Sequence, residues 1–283
     1  MTTLSTRISQ NVLAKRVLVV LVLLPVGLAA IWYDGQFYVA LVSIILVVAA
    51  WEYYHLFRVG GFKPSGAVLI GGTLLLTLGR AASGFADMGW MIGLILVSAM
   101  AIHLFAFERG RIESGTDFTV TISGALYVGW LGAYLISIRD LPEGRFWLLT
   151  VLPAIWFADT GAYTIGRRFG RHRMAPRLSP KKSWEGYFAG VAASVVFTGL
   201  LAGVLSILAG SEIAVSPANA SLIALVLSSL SPLGDFGESM LKRQMGVKDS
   251  SHILPGHGGI FDRIDSWLWG VLLGYYLIVW LFI

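Results

Sequence analysis

The sequence predicts an all-α integral membrane protein of about nine transmembrane helices. Its amino terminus is expected in the cytoplasm. Three observations carry this. Hydrophobic residues fill 56% of the 283 positions and charged residues only 13%, about half the charged share usual in a water-soluble domain. Uncharged runs such as 88–107 and 186–211 reach the ~20 residues that a helix needs to cross a bilayer. The basic residues cluster in alternate loops, as they do when cytoplasmic loops retain positive charge.

The spans are expected at 17–33, 37–57, 64–79, 88–107, 118–138, 146–166, 186–209, 218–241 and 266–283. The first follows Arg7, Lys15 and Arg16 like a signal anchor; no small-residue cleavage site follows, so it is read as a span. The third, Pro64 to Gly79, is the weakest, being short and rich in glycine. With the amino terminus inside, 18 of the 21 Lys and Arg residues lie on the cytoplasmic side. Only Arg80, Arg139 and Arg145 fall outside, which implies a multi-pass protein of the inner (cytoplasmic) membrane. Residues 1–145 are expected to supply five helices, and 146–283 four helices with two cytoplasmic loops.

Composition also excludes some chemistry. There is no cysteine, so disulfides, thiolate nucleophiles and cysteine–zinc sites are ruled out. The net charge of +5 points to cytoplasmic loops beside anionic headgroups, and no nucleic-acid partner is expected. Gly166-x-x-x-Gly170 and Gly186-x-x-x-Gly190 have the spacing of close helix contacts, though in a chain with 33 glycines chance explains them equally well.

Charge buried in lipid marks function by default. The amino-terminal half holds little of it; Glu52, His55 and His103 lie near span ends and read as structural. The second half differs. Asp159 falls about 20 Å along the sixth span and Asp235 about 26 Å along the eighth, while Asp262, Arg263 and Asp265 open the ninth. These acids are expected to converge on the inner leaflet. Around Asp235, Pro232, Gly234 and Gly237 predict a broken helix, after which Asp235, Glu238, Ser239 and Lys242 share one face. The loop "GRRFGRHRMAPRLSPKKSWEG" (166–186) has seven basic residues and one acid, Glu185. Its Ser179, Lys181, Lys182 and Ser183 form a candidate anion clamp, with a plain positive-inside loop as the bland alternative. In "GHGGIFDRID" (256–265), the glycines let backbone amides approach a phosphate, and Asp262 and Asp265 are hard oxygen ligands suited to Mg²⁺. Neither a Walker loop nor an H-E-x-x-H zinc helix is present.

The stretch "SMLKRQMGVKDSSHILPGHGGIFDRID" (239–265) resembles the signature of the phosphatidate cytidylyltransferases, or CDP-diacylglycerol synthases. The matching positions are Ser239, Lys242, Arg243, Lys248, Asp249, His257, Gly258, Gly259, Asp262, Arg263 and Asp265. "DTGAY" (159–163), "SPKKSWEG" (179–186) and "GDFGES" (234–239) are similar to the family too. The first 145 residues resemble it only in being several spans.

The resemblance implies an all-helical membrane enzyme, thought dimeric, whose carboxy-terminal half holds a polar cavity open to the cytoplasm, and which converts CTP and phosphatidic acid to CDP-diacylglycerol and pyrophosphate with Mg²⁺. It implies that Asp235 and Asp262 hold paired cations, the second being a monovalent ion such as K⁺. Asp265 and Asp159 are further candidate ligands. Lys242, Arg243, Lys248 and Arg263 are expected to neutralise phosphates, with Asp249 among the candidate catalytic positions. Ser179, Lys181, Lys182, Ser183, Glu185, Ser239, His257, Gly258 and Gly259 are the candidate substrate-binding residues. The rivals are a CTP-dependent lipid or polyprenol kinase and an ion-coupled transporter. A purely structural scaffold would leave the intramembrane acids without a purpose.

Overall fold

The computed structural model describes residues 21–33, 35–209, 215–254, 256 and 258–283. Of the first expected span, only the part from Leu21 lies among them, as helix α1 (Leu21–Trp32). His257 and the basic residues before position 20 lie outside the described residues. Among the described residues, eight segments are long and apolar enough to cross a membrane, and they match the second to ninth expected spans. The chain is a multi-pass membrane protein. Even the glycine-rich third span forms a full helix, capped by Ser65, whose side chain accepts from the Val68 amide.

Two compact units emerge. The first gathers the described residues up to Ala133 together with those of Gln244–Ile264. It contains α1, α2 (Gly35–Val59), α3 (Gly66–Ser83), α4 (Met88–Glu108) and α5 (Ser114–Gly124), then a π-helical turn, Ala125–Trp130. From α2 onward, consecutive helices pack on one another, with α3 against α2, α4 and the π turn. The π turn sits where backbone crowds backbone: a Cβ on Gly129 would stand 2.7 Å from Thr73 Cα. Leu46, Leu56, Leu69, Leu76, Ile95 and Val128 fill this unit's core.

A polar clamp ties the loops at one end of these helices. Asp117, almost wholly buried, accepts from the Lys63 amide at 2.7 Å and from Arg111 Nε at 2.8 Å. That hydrogen bond raises the guanidinium pKa of Arg111 above its ordinary value. Thr121 Oγ1 accepts from the Ser65 amide and lies 2.9 Å from His103 Nε2. The structural reading of His103 fits this setting.

The second unit holds Tyr134–Arg243 and Asp265–Ile283. It comprises α6 (Tyr134–Asp140), α7 (Gly144–Phe169), a two-stranded ribbon of β1 (Arg173–Ala175) and β2 (Ser179–Ser183), α8 (Trp184–Ala209), α9 (Pro217–Leu230) and α10 (Pro232–Gln244). It also takes α11 (Phe261–Leu281) from Asp265 onward. The small ribbon is an addition to the all-helical expectation; the basic loop is a hairpin.

Helices α7 and α8 pack most closely. A Cβ on Gly186 would lie 2.8 Å from Ala162 O, one on Gly190 2.5 Å from Ala158 O, and one on Gly166 3.2 Å from Gly186 Cα. The paired G-x-x-x-G spacings are therefore a real close approach. Ser194 adds a hydroxyl bond to Ala154 O at 2.7 Å, next to Pro153 within α7. The outward faces of α4 and α8 are apolar, including Val97, Phe105, Leu200 and Ile207, as helices in lipid require.

Candidate functional site

In the second unit, the eighth span is broken as its sequence predicts. Helix α9 ends at Leu230, and α10 restarts at Pro232 with Asp235 in its first turn. Pro is tolerated there because a first-turn amide has no helical partner. The positive end of a helix also favours a carboxylate in that turn. Gly234 makes the neighbouring contact possible: a Cβ there would be 2.5 Å from Asp265 O and 3.0 Å from Ser266 Cα. This brings the start of α10 against α11.

Three acids share this neighbourhood. Asp265, buried at 8% exposure, lies within electrostatic range of Asp235 and Asp159. Asp159 projects from the exposed face of α7. Such a group of like charges needs a counter-cation. Lys182 from the ribbon supplies one, with Nζ 2.5 Å from Asp235 Oδ2 and 4.8 Å from the Phe236 ring centre. Ser239 donates to the other Asp235 oxygen at 3.2 Å. One turn on, Lys242 and Glu238 form a buried pair at 2.6 Å. The shared face expected on α10 thus carries two paired sets, and the Lys242 ammonium is held by Glu238. Arg243 is exposed.

The ribbon is positioned from α8. Glu185 accepts from the Arg171 amide at 3.0 Å and from the His172 amide and ring Nδ1. Ser183 is buried, and its Oγ accepts from the Gly186 amide at 3.2 Å, an N-terminal cap for α8. Both residues were candidates for substrate contact; their observed bonds hold the hairpin. Lys181 is exposed and Ser179 half-buried along the same strand.

In the first unit, the segment after α10 folds back on itself, with Leu254 N donating to Gly258 O at 2.9 Å. Gly258 has φ +87°, a region that side-chain-bearing residues rarely adopt, and a Cβ there would lie 2.8 Å from Asp262 Oδ2. The Asp262 carboxylate accepts from the Ser250 amide and hydroxyl, both at 3.0 Å, and from the Gly259 amide at 2.8 Å. Lys248, Asp249 and Arg263 are exposed around it.

Sequence reasoning missed what lies beneath this loop. Glu52 of α2 is fully buried and accepts four hydrogen bonds from it. The donors are Ser250 Oγ (3.2 Å), Ser251 Oγ (2.5 Å), Ile260 N (3.0 Å) and Phe261 N (2.6 Å). A glutamate deep in an apolar helix was the available signal. Its position near a span end led to a local structural reading.

Among the described residues, no group of three or more His, Cys, Asp or Glu side chains is arranged to hold a metal ion alone. Mg²⁺ commonly takes only one or two carboxylates and draws its other oxygens from phosphates and water. Asp235 and Asp265 in the second unit, and separately Asp262 in the first, offer hard-oxygen donors of that kind.

A family model described as "Cytidylyltransferase family" matches residues 14–281. A phosphatidate cytidylyltransferase of Pseudomonas aeruginosa is 32% identical over 269 residues, covering 90% of this chain and 92% of the relative. One from Synechocystis is 29% identical, over 94% of this chain and 96% of the relative. One from Haemophilus influenzae is 43% identical over 131 residues, covering 45% of this chain and 44% of the relative. With a match spanning nearly its whole length, the chain belongs to the cytidylyltransferase family.

Proposed function

We propose that the protein is a phosphatidate cytidylyltransferase of the inner membrane, working at its cytoplasmic face. In this reading a phosphatidate oxygen attacks the α-phosphorus of CTP. The bond from that phosphorus to the bridging oxygen of the β-phosphate breaks, and pyrophosphate leaves as CDP-diacylglycerol forms. The nucleophile is already anionic, so no strong general base is needed; the task is to hold two anions together.

The observation that carries the reading is the acid group of the broken span, Asp235 beside Asp265 and Asp159, with Lys182 as its ammonium partner. Asp262 opens the same helix as Asp265, three residues earlier, and it is the family resemblance of both positions that pairs Asp262 with Asp235 at a cation site. When bound there, Mg²⁺ and a second cation such as K⁺ supply charge screening and stabilise the crowded phosphorus in the transition state. Lys181 and Lys182 bind the triphosphate. Arg243, Lys248 and Arg263, exposed basic groups, neutralise the phosphates as they approach. Lys242, Asp249 and Ser239 complete the signature, with Lys242 governed by Glu238. The glycines at 258 and 259 let the loop close on Asp262, Ser250 and Glu52. The positive bias of the loops supports the cytoplasmic orientation, and the homodimer implied by the resemblance belongs to the same reading.

The test is purified full-length protein in detergent micelles with phosphatidate, Mg²⁺ and CTP labelled at either the α- or the γ-phosphate. Label from the α position is expected in the lipid, with one pyrophosphate released per lipid formed. Label from the γ position in the lipid would identify a kinase, and no CTP-dependent product would sink the assignment.

A further inference from the structure

We propose that Glu52, in the amino-terminal helices, is a positioning residue for Asp262, an inference that rests on the proposed cytidylyl transfer. A carboxylate withdrawn from water is costly unless its lone pairs are met, and every partner of Glu52 is a donor: two hydroxyls and two backbone amides. The amides belong to Ile260 and Phe261, at the start of α11, where amides lack helical partners. Glu52 thus caps α11 from a helix about 200 residues away in sequence, and it fixes the point at which Asp262 leaves the loop.

The second link is Ser250. Its single hydroxyl proton lies 3.2 Å from Glu52 Oε2 and 3.0 Å from Asp262 Oδ2. One proton satisfies one acceptor at a time. Because Glu52 is available, Ser250 can turn from Asp262 and leave that oxygen's lone pair for another partner, while its own amide still holds the Asp262 carboxylate. Gly259 closes the arrangement: a Cβ there would be 2.1 Å from Ser250 Oγ and 2.6 Å from Glu52 Oε2. The loop is packed onto Glu52 with no room for a side chain between them.

Glu52→Gln keeps the shape but turns one acceptor oxygen into a donor facing donors. Purified full-length variants are compared in two ways: the Mg²⁺ concentration for half-maximal CTP-dependent lipid product, and amide hydrogen exchange without nucleotide or metal. The expected results are a Mg²⁺ requirement raised about 10- to 100-fold and faster exchange at Ser250, Gly259, Ile260 and Phe261. Exchange at the Lys63–Asp117 clamp should not change. Glu52→Asp should recover part of both effects. An unchanged Mg²⁺ requirement in Glu52→Gln overturns the proposal, whatever exchange does, and so does faster exchange spread over the whole first unit. If wild-type protein makes no cytidylylated lipid, the proposed function fails. The exchange measurement then still decides whether Glu52 holds the loop.

Discussion

Two polar loops, one in each unit, are each gathered by a single glutamate, and the two glutamates do it differently. Glu185 is local: it collects amides 13 and 14 residues before it, at a site open enough that its side chain is 29% exposed and its His172 partner 79%. Glu52 is remote and fully buried, and it collects four donors from 198 to 209 residues away. An exposed pair contributes little, because water competes for both partners. A buried acceptor set cannot be lost without leaving donors unsatisfied. The ribbon bearing Lys181 and Lys182 is thus held by bonds open to solvent, and the residues around Asp262 by buried ones.

The acids themselves repeat the contrast. Asp262 is met by fixed backbone donors, and Asp235 by the end of a flexible lysine. The largest effects should come from these two. Asp235→Asn and Asp262→Asn are each expected to lower kcat by about 10²- to 10³-fold or more, measured as CTP-dependent lipid product from folded protein. Near wild-type turnover in either would remove it from the site.

Next is Gly258→Ala, which places a side chain at φ +87° and against Asp262. A drop of about tenfold in kcat is expected, with the backbone strain costing about 1–2 kcal/mol. Thermal unfolding in detergent gives the second number, and an unaffected enzyme would mean that the loop is not preset.

Lys182→Met should raise the KM for CTP about tenfold with a smaller change in kcat, since a charge-assisted contact to the triphosphate is lost. An unchanged KM would leave the lysine with only its Asp235 pairing. The smallest effect is expected from Glu185→Gln, with thermal unfolding little changed and the KM for CTP shifted a few-fold. A collapse of activity there would erase the distinction between the two loops.

Much of this was legible in the sequence, and the reasons are physical. Spans are read from length and apolarity, so all eight described crossings appear where hydropathy puts them, down to the break at Pro232. The signature acids could be picked out because charge in lipid is costly. The ribbon could not be foreseen, since a basic loop and a short hairpin have the same composition. The capping role of Ser183 and the hairpin-holding bonds of Glu185 could not be told from anion binding, because both call on the same residue types. Glu52 was hidden for a different reason: its partners lie some 200 residues away, and no periodicity reports a contact at that distance. The close crossing of α7 and α8 was equally open, because a G-x-x-x-G spacing acquires meaning only when another helix faces it.

The account's central claim is that Asp235 and Asp262 serve one cation cluster with the nucleotide. Mn²⁺ substituted for Mg²⁺ and counted by electron paramagnetic resonance, with and without CTP, tests this most directly. Either Asp→Asn variant alone should abolish the CTP-dependent Mn²⁺ binding that wild-type protein displays. Retention of half or more of that binding in either variant would mean that the two acids serve separate sites, and would contradict the account.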